Sequence, residues 1–117
     1  MDFEIIRNYC LQKPGTSEDL PFDQDTLVIR VGTKIFILLP LDTPDRINLK
    51  CDPELVIELR EKYSAVQPGY HMNKKHWNTV FINEDVNKKE LFKMIDHSYD
   101  LVYDKLTKKE KESIKGK

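Results

Sequence analysis

The sequence predicts an α+β domain in which helices cover an antiparallel sheet, and three observations carry that prediction. Apolar residues recur at three- and four-residue intervals near both ends of the chain. Two β-branched, apolar runs flank Gly32 and Thr33, and the run from Arg46 to Cys51 alternates strictly between polar and apolar residues. With 117 residues, 39% of them hydrophobic and 33% charged, the chain fits one domain over residues 1–117. That length buries a core without disulfide or metal staples.

From Asp2 to Lys13 the residues Phe3, Ile6, Tyr9 and Cys10 mark an amphipathic helix, which Pro14 and Gly15 end. Between Thr16 and Asp25 acids are frequent and Pro21 interrupts, so an acidic loop anchored by Leu20 and Phe22 is expected. Thr26 to Val31 and Lys34 to Leu39 form a hairpin with Gly32 at positive φ in the first turn position. If Val31 pairs with Lys34, strict alternation groups Leu27, Ile29, Phe36 and Leu38 on one face. Val28, Ile35, Ile37, Leu39 and Arg30 then share the other, and both faces need cover.

After a loop from Pro40 to Asp45, alternation turns Ile47, Leu49 and Cys51 inward and Arg46, Asn48 and Lys50 to the opposite face. Asp52 followed by Pro53 starts a helix, because Asp52 accepts from orphan amides and Pro53 needs no N–H in the first turn; Leu55, Val56, Leu59 and Tyr63 form its apolar stripe. Pro68 and Gly69 break the chain before a strand at Asn78 to Ile82. Asn87 with Glu90 opens a long helix to about Leu106, with Asp96, Asp100 and Asp104 on its wet side. Thr107 with Glu110 repeats the cap and starts a short last helix ending in a lysine-rich tail at Lys115 and Lys117.

A formal net charge of -1 excludes a uniformly basic nucleic-acid coat, so polyanion binding requires a local patch. One stretch qualifies. From Lys62 to Asn83 there is no Asp or Glu, and Gly69 to Asn78 holds two of the three histidines, the only tryptophan, Lys74 and Lys75. Trp77 and Tyr70 beside the two lysines suit stacking on bases, and suit a core beside a solvated loop equally well. His71 and His76 fix the loop by hydrogen bonds or charge against an anion near neutrality. Their five-residue spacing, with Cys51 as a third ligand, is not a standard zinc arrangement, and no metal or cofactor is expected.

Asp96, His97 and Ser98 are triad residue types, but neighbours on a helix diverge by about 100° and cannot converge on one another. No phosphate-cradling glycine loop or nucleophile elbow is present, so no catalytic constellation is found and a non-enzymatic role is expected. Cys10 and Cys51 form no CxxC pair, and no apolar run reaches the roughly 20 residues of a membrane span. A cytoplasmic protein with two reduced thiols is the expectation.

The runs Ile47 to Leu55 and Pro68 to Val80 closely resemble the MmcQ/YjbR family of small bacterial proteins. Pro14-Gly15, Asp25 to Val28, Val31-Gly32 before Lys34, and Asp96 to Tyr99 extend the resemblance over nearly the whole chain. The turn Gly32-Thr33 and Asp23 depart from glycines of the family pattern. The resemblance implies a CyaY-like α+β fold with a "double wing" shape, similar to the DNA-binding domain of a phage transcription factor, and it implies DNA as partner. It brings no catalytic residues.

The leading expectation is a DNA-binding monomer or weak homodimer. Arg30, Arg46, Lys50, Lys74 and Lys75 meet phosphates, and Asn48, Asn73 and His76 touch base edges, with His71 beside them. The alternative is a protein-interaction module using the apolar hairpin, or a small-anion pocket built from Tyr70, His71, Lys74 and Trp77.

Overall fold

A proline that needs no donor and an aspartate that accepts two residues on define a helix start, and such local signals set most of the elements in the computed structural model, which describes residues 1–69 and 72–115. The chain runs through α1 (Phe3–Leu11), β1 (Thr16–Asp19), β2 (Thr26–Val31), β3 (Lys34–Pro40), β4 (Arg46–Lys50), α2 (Pro53–Lys62), β5 (Val66–Pro68), β6 (Trp77–Phe81), α3 (Lys88–Asp104) and α4 (Lys108–Lys115). The strands form one sheet in the order β1-β2-β3-β4-β6-β5, antiparallel at every join. This is the expected α+β architecture of an antiparallel sheet with helices packed on it.

Three caps form where the sequence places them. Asp52 accepts from the Glu54 amide, Asn87 from the Glu90 amide, and Thr107 and Glu110 exchange hydrogen bonds in both directions. Gly32 has φ +58, as a turn of this hand requires.

The two strands at the sheet edges were not expected. Thr16 to Asp19 pairs with β2 instead of lying in a loop, and Leu20 and Phe22 are 46% and 67% exposed rather than anchored. An edge strand needs partners on one side only, so acidic residues are tolerated there. Glu18 meets Arg7 at 2.5 Å and Asp19 meets Arg30 at 3.0 Å. At the other edge β5 is three residues long and ends in Pro68, a residue confined to such margins.

The face assignment of the hairpin also differs. Val31 does pair with Lys34, but Ile29 pairs with Ile37 while Arg30 pairs with Ile35, so Phe36 is an extra residue in β3. The bulge sends Phe36, Ile37 and Leu39 together with Leu27, Ile29 and Val31 to the helix side. Leu38 moves to the opposite face with Val28, Ile35 and Arg30. Both sides of the ribbon remain apolar: α1 and α3 cover the first, and on the second Val28 and Leu38 are buried beside half-buried Ile35 and Arg30.

On that side Ile6 and Cys10 of α1 and Leu91, Ile95, Tyr99 and Val102 of α3 join Ile47, Leu49 and Val80 in a single core. Tyr9 stacks on Phe92 with ring centroids 3.8 Å apart, and its hydroxyl donates to Asp96 at 2.6 Å. Lys13 also reaches Asp96, so this carboxylate, still 44% exposed on the wet side of α3, clamps α1 to α3. Among the described residues no helix is long and apolar enough to cross a membrane.

Candidate nucleic-acid interface

The open face of the sheet is fixed by register. Leu38 opposes Asn48, Asn48 opposes Thr79, Arg46 opposes Phe81 and Lys50 opposes Trp77, so these side chains share the face that no helix covers. Three of the sequence-selected residues, Arg46, Asn48 and Lys50, therefore come together with Arg30 as the alternation requires. Their electrostatic states differ.

Arg30 is held by Asp19, and Arg46 is held by Asp45 at 2.8 Å while its guanidinium lies 4.7 Å from the Phe81 ring centroid. The hydrogen bond from Arg46 keeps the Asp45 carboxyl below its usual range. Asn48 accepts from the Thr79 hydroxyl at 2.6 Å, leaving its amide NH₂ as a donor group. Lys50 has no carboxylate partner among the described residues.

The loop from Gly69 into β6 is built on backbone carbonyls. Arg60 of α2 forks into it, donating from Nε to Asn78 Oδ1 at 2.8 Å and from Nη2 to the Lys74 carbonyl at 2.5 Å and the Trp77 carbonyl at 3.2 Å. Asn73 makes an Asx turn, its Oδ1 accepting from the Lys75 amide at 2.9 Å, and its carbonyl accepts from His76 and Trp77. The His76 carbonyl accepts from the Cys51 amide at 2.7 Å, which ties the loop to the end of β4. A Cβ at Gly69 would stand 2.8 Å from the Trp77 carbonyl oxygen, so glycine is required by close approach.

The two loop lysines are not equivalent. Lys74 turns back so that Nζ donates to the Gly69 carbonyl at 3.0 Å, whereas Lys75 is exposed with no side-chain partner among the described residues. His71 and Tyr70 lie outside the described residues, so the anion pocket of Tyr70, His71, Lys74 and Trp77 and the ligand set of Cys51, His71 and His76 do so in part as well. Among the described residues no three His, Cys, Asp or Glu side chains gather as a metal would need. Burial pushes the Cys51 thiol up to about 11 and the Cys10 thiol up to about 12, so both remain protonated at neutral pH.

Asp96, His97 and Ser98 point to three separate tasks, as helical geometry requires. Asp96 receives Tyr9 and Lys13, His97 Nε2 accepts from the Asp52 amide at 3.2 Å, and Ser98 bonds the backbone of Phe36 and Lys50.

Charge is distributed along the sheet with a clear sense. At the end where β2 starts and β3 finishes lie Asp23, Asp42 and Asp45. At the opposite end Arg30, Lys34, Lys50 and Lys105 line a concavity of about 520 Å³ with Thr33, Ile35 and Val102; no acid belongs to that lining, although the carboxylates of Asp19 and Glu110 hold two of its residues, Arg30 and Thr33, from outside. From Ile35 a groove of about 600 Å³ runs over Leu38, Asn48 and Arg46 into the acidic end, where Asp23 and Asp42 belong to its lining, walled by Phe22 on one side and Met72 and Trp77 on the other. Lys34 and Lys105 were not selected from sequence. Lys34 is legible in hindsight as the residue facing Val31 across the turn, but Lys105 reaches the site only because the C-terminal end of α3, with Val102, comes to this end of the sheet.

A chain with this architecture is similar to several known proteins. It is 34% identical to the uncharacterized protein YbdF of Escherichia coli over 113 residues, covering 96% of this chain and 93% of that protein. It is 30% identical to the uncharacterized protein YjbR of Escherichia coli, covering 85% of each. The crystal structure of a Deinococcus radiodurans protein described as domain DUF419 superposes with a TM-score of 0.88 at 37% identity, over 96% of this chain and 86% of that one. A Pseudomonas syringae protein follows the same fold with a TM-score of 0.74 at 32% identity, over 87% of this chain and 99% of that one. The YjbR family model matches residues 11–101, from the end of α1 through most of α3, and on that match together with these relatives the chain belongs to the YjbR family.

Proposed function

We propose that this protein binds duplex DNA through the cationic end of its sheet, where the open face bearing Arg30 and Lys50 meets Lys34 at the hairpin turn and Lys105 at the end of α3. The observation that carries the reading is the convergence of Arg30, Lys34, Lys50 and Lys105 on one concavity without an acidic lining residue. Lys75 stands in the adjoining loop, whose strand brings Trp77 opposite Lys50. Lys34, Lys50, Lys75 and Lys105 are the primary phosphate contacts, each with its ammonium unclaimed by a carboxylate among the described residues. Asp23 and Asp42 line the far part of the groove with Asp45 nearby, and they repel the duplex there, which confines it to the cationic end.

Within the groove Asn48 offers its amide donors to a base edge, and Trp77 offers an apolar surface beside it. Asn73 and His76 act as loop-building residues: the Asn73 side-chain oxygen accepts from the Lys75 amide, and the His76 carbonyl ties the loop to Cys51; His71 is proposed as a further contact to the anion. Arg30, Arg46 and Lys74 add to phosphate binding only after exchanging a present partner for DNA, which weakens their contribution. The protein acts as a monomer or weak homodimer in the cytoplasm, where its duplex is.

Fluorescence anisotropy with a labelled duplex across a range of salt concentrations tests the reading. Four phosphate contacts give a log-log slope of about -3.5, since each contributes roughly -0.9. Charge reversal at Lys34 and Lys50 together abolishes binding while leaving the circular dichroism spectrum unchanged. Absence of binding at low salt, or a slope near zero, removes the proposal.

A further inference from the structure

A second site lies on the other side of the sheet. Helices α2 and α3 leave a cleft of about 280 Å³ between them, floored by Leu49 and Val80 and walled by Leu55 and Leu59 of α2 and Met94 of α3. Leu55 and Leu59 are only half-buried although they form the inner stripe of α2, so their apolar surface faces this space rather than packed side chains. An apolar cavity of about 150 Å³ holds a benzene ring, so this volume suits a ring with a short chain attached.

The rim is polar on one helix. Glu90, Lys93 and His97 fall at successive turns of α3, with Lys93 and His97 four residues apart on one face. Lys93 has no carboxylate partner among the described residues. His97 Nε2 is occupied by the Asp52 amide, so the neutral ring carries its proton on Nδ1 and keeps one N–H for a ligand. Glu90 disfavours a second negative charge at the same rim. Cys51 contributes a protonated thiol to the wall, which makes it a packing surface and not a nucleophile.

We propose that the α2–α3 cleft binds a small aromatic monocarboxylate, its ring against Leu49, Leu55, Leu59 and Met94 and its carboxylate at Lys93 and His97. The site lies on the helix-covered side of the sheet; it shares Lys50 with the DNA surface, but the groups that hold the ring and the carboxylate belong to the cleft alone, so its binding does not depend on nucleic acid. A buried ring supplies the favourable transfer term, and the ammonium with the imidazole N–H supplies the selection for an anionic head.

Titration with 3-phenylpropionate, without nucleic acid, tests this by methyl NMR. Saturable shifts confined to the Leu, Val and Met methyls of the cleft are expected, with 3-phenylpropan-1-ol binding at least tenfold more weakly. Lys93→Gln, an exposed substitution that leaves the core untouched, brings the carboxylate to the affinity of the alcohol. Leu59→Trp fills the cleft and removes binding of both. Shifts that do not saturate, that scatter over the open sheet face, or that are equal for acid and alcohol overturn the proposal.

Discussion

Ser98 Oγ donates to the Phe36 carbonyl at 2.5 Å and accepts from the Lys50 amide at 2.9 Å, so one fully buried hydroxyl of α3 satisfies two backbone groups of two different strands. Phe36 is the bulged residue of β3, and its carbonyl is the one that a regular ladder would have paired. The bulge and Ser98 therefore form one unit. The bulge sets which face Leu38 occupies, and Ser98 ties it to the Lys50 backbone of β4.

Replacing Ser98 by alanine leaves a buried carbonyl and a buried amide unsatisfied. At about 1–3 kcal/mol for each such group, the expected loss is roughly 2–6 kcal/mol. Urea denaturation reads it as a lower midpoint at unchanged slope. A midpoint shift below about 0.5 kcal/mol means that water or a register slip replaces the hydroxyl.

Much of this was legible in the sequence because the signals are local. The turn at Gly32, the Asp52-Pro53 start, the Asn87 cap and the alternation of Arg46, Asn48 and Lys50 each depend on a few neighbouring residues, and each forms as read. The bulge is different, since the group that satisfies its carbonyl is Ser98, 62 residues away from Phe36, and alternation alone assigns Leu38 to the wrong face. The edge strand at Thr16 to Asp19 looks like a loop because its acids are satisfied by Arg7 and Arg30, which only the fold brings near. For the site, the loop composition pointed to Lys74 and Lys75 alike. The hydrogen bond from Lys74 to the Gly69 carbonyl separates them, and the fork of Arg60 that shapes the loop leaves no mark in local sequence.

Arg60→Met keeps the aliphatic stem and removes the donors that hold the Lys74 and Trp77 carbonyls and the buried Asn78 side chain. An unsatisfied Asn78 oxygen costs about 1–3 kcal/mol, and the loop loosens more than the core does. Faster amide exchange at Lys75 to Trp77, with a red-shifted emission from the single tryptophan, is the expected signature. Arg60→Lys restores little, because one ammonium cannot reproduce a fork to three acceptors.

Glu110 ties α4 to the hairpin, accepting from the Thr33 hydroxyl at 2.7 Å and the Thr33 amide at 3.1 Å while closing the cap with Thr107. The hydrogen bond from Thr33, followed by that from the Thr107 amide, holds its carboxyl below the ordinary 4.5. A carboxyl depressed in the folded state binds fewer protons there than in the unfolded chain, so its contribution is complete above about pH 4.5. It is lost as the pH falls through the folded value. Thermal midpoints of the parent and Glu110→Gln should therefore differ by a constant amount at neutral pH and converge in acid. A gap that persists undiminished at pH 2–3 contradicts the charge-based account.

Asp19→Asn tests the DNA surface from the opposite direction, by adding a phosphate contact instead of removing one. Asp19 holds Arg30 at 3.0 Å, and its own side chain is 55% exposed, so the pair contributes less than about 1 kcal/mol to stability. Without that carboxylate the Arg30 guanidinium is free for phosphate at the concavity it lines with Lys34, Lys50 and Lys105. Affinity for duplex DNA should rise roughly threefold or more at moderate salt, and the log-log slope should steepen by about 0.9. Because a misfolded variant cannot bind more tightly through a native site, a gain is stronger support than any loss. An unchanged slope means that the duplex does not pass over Arg30.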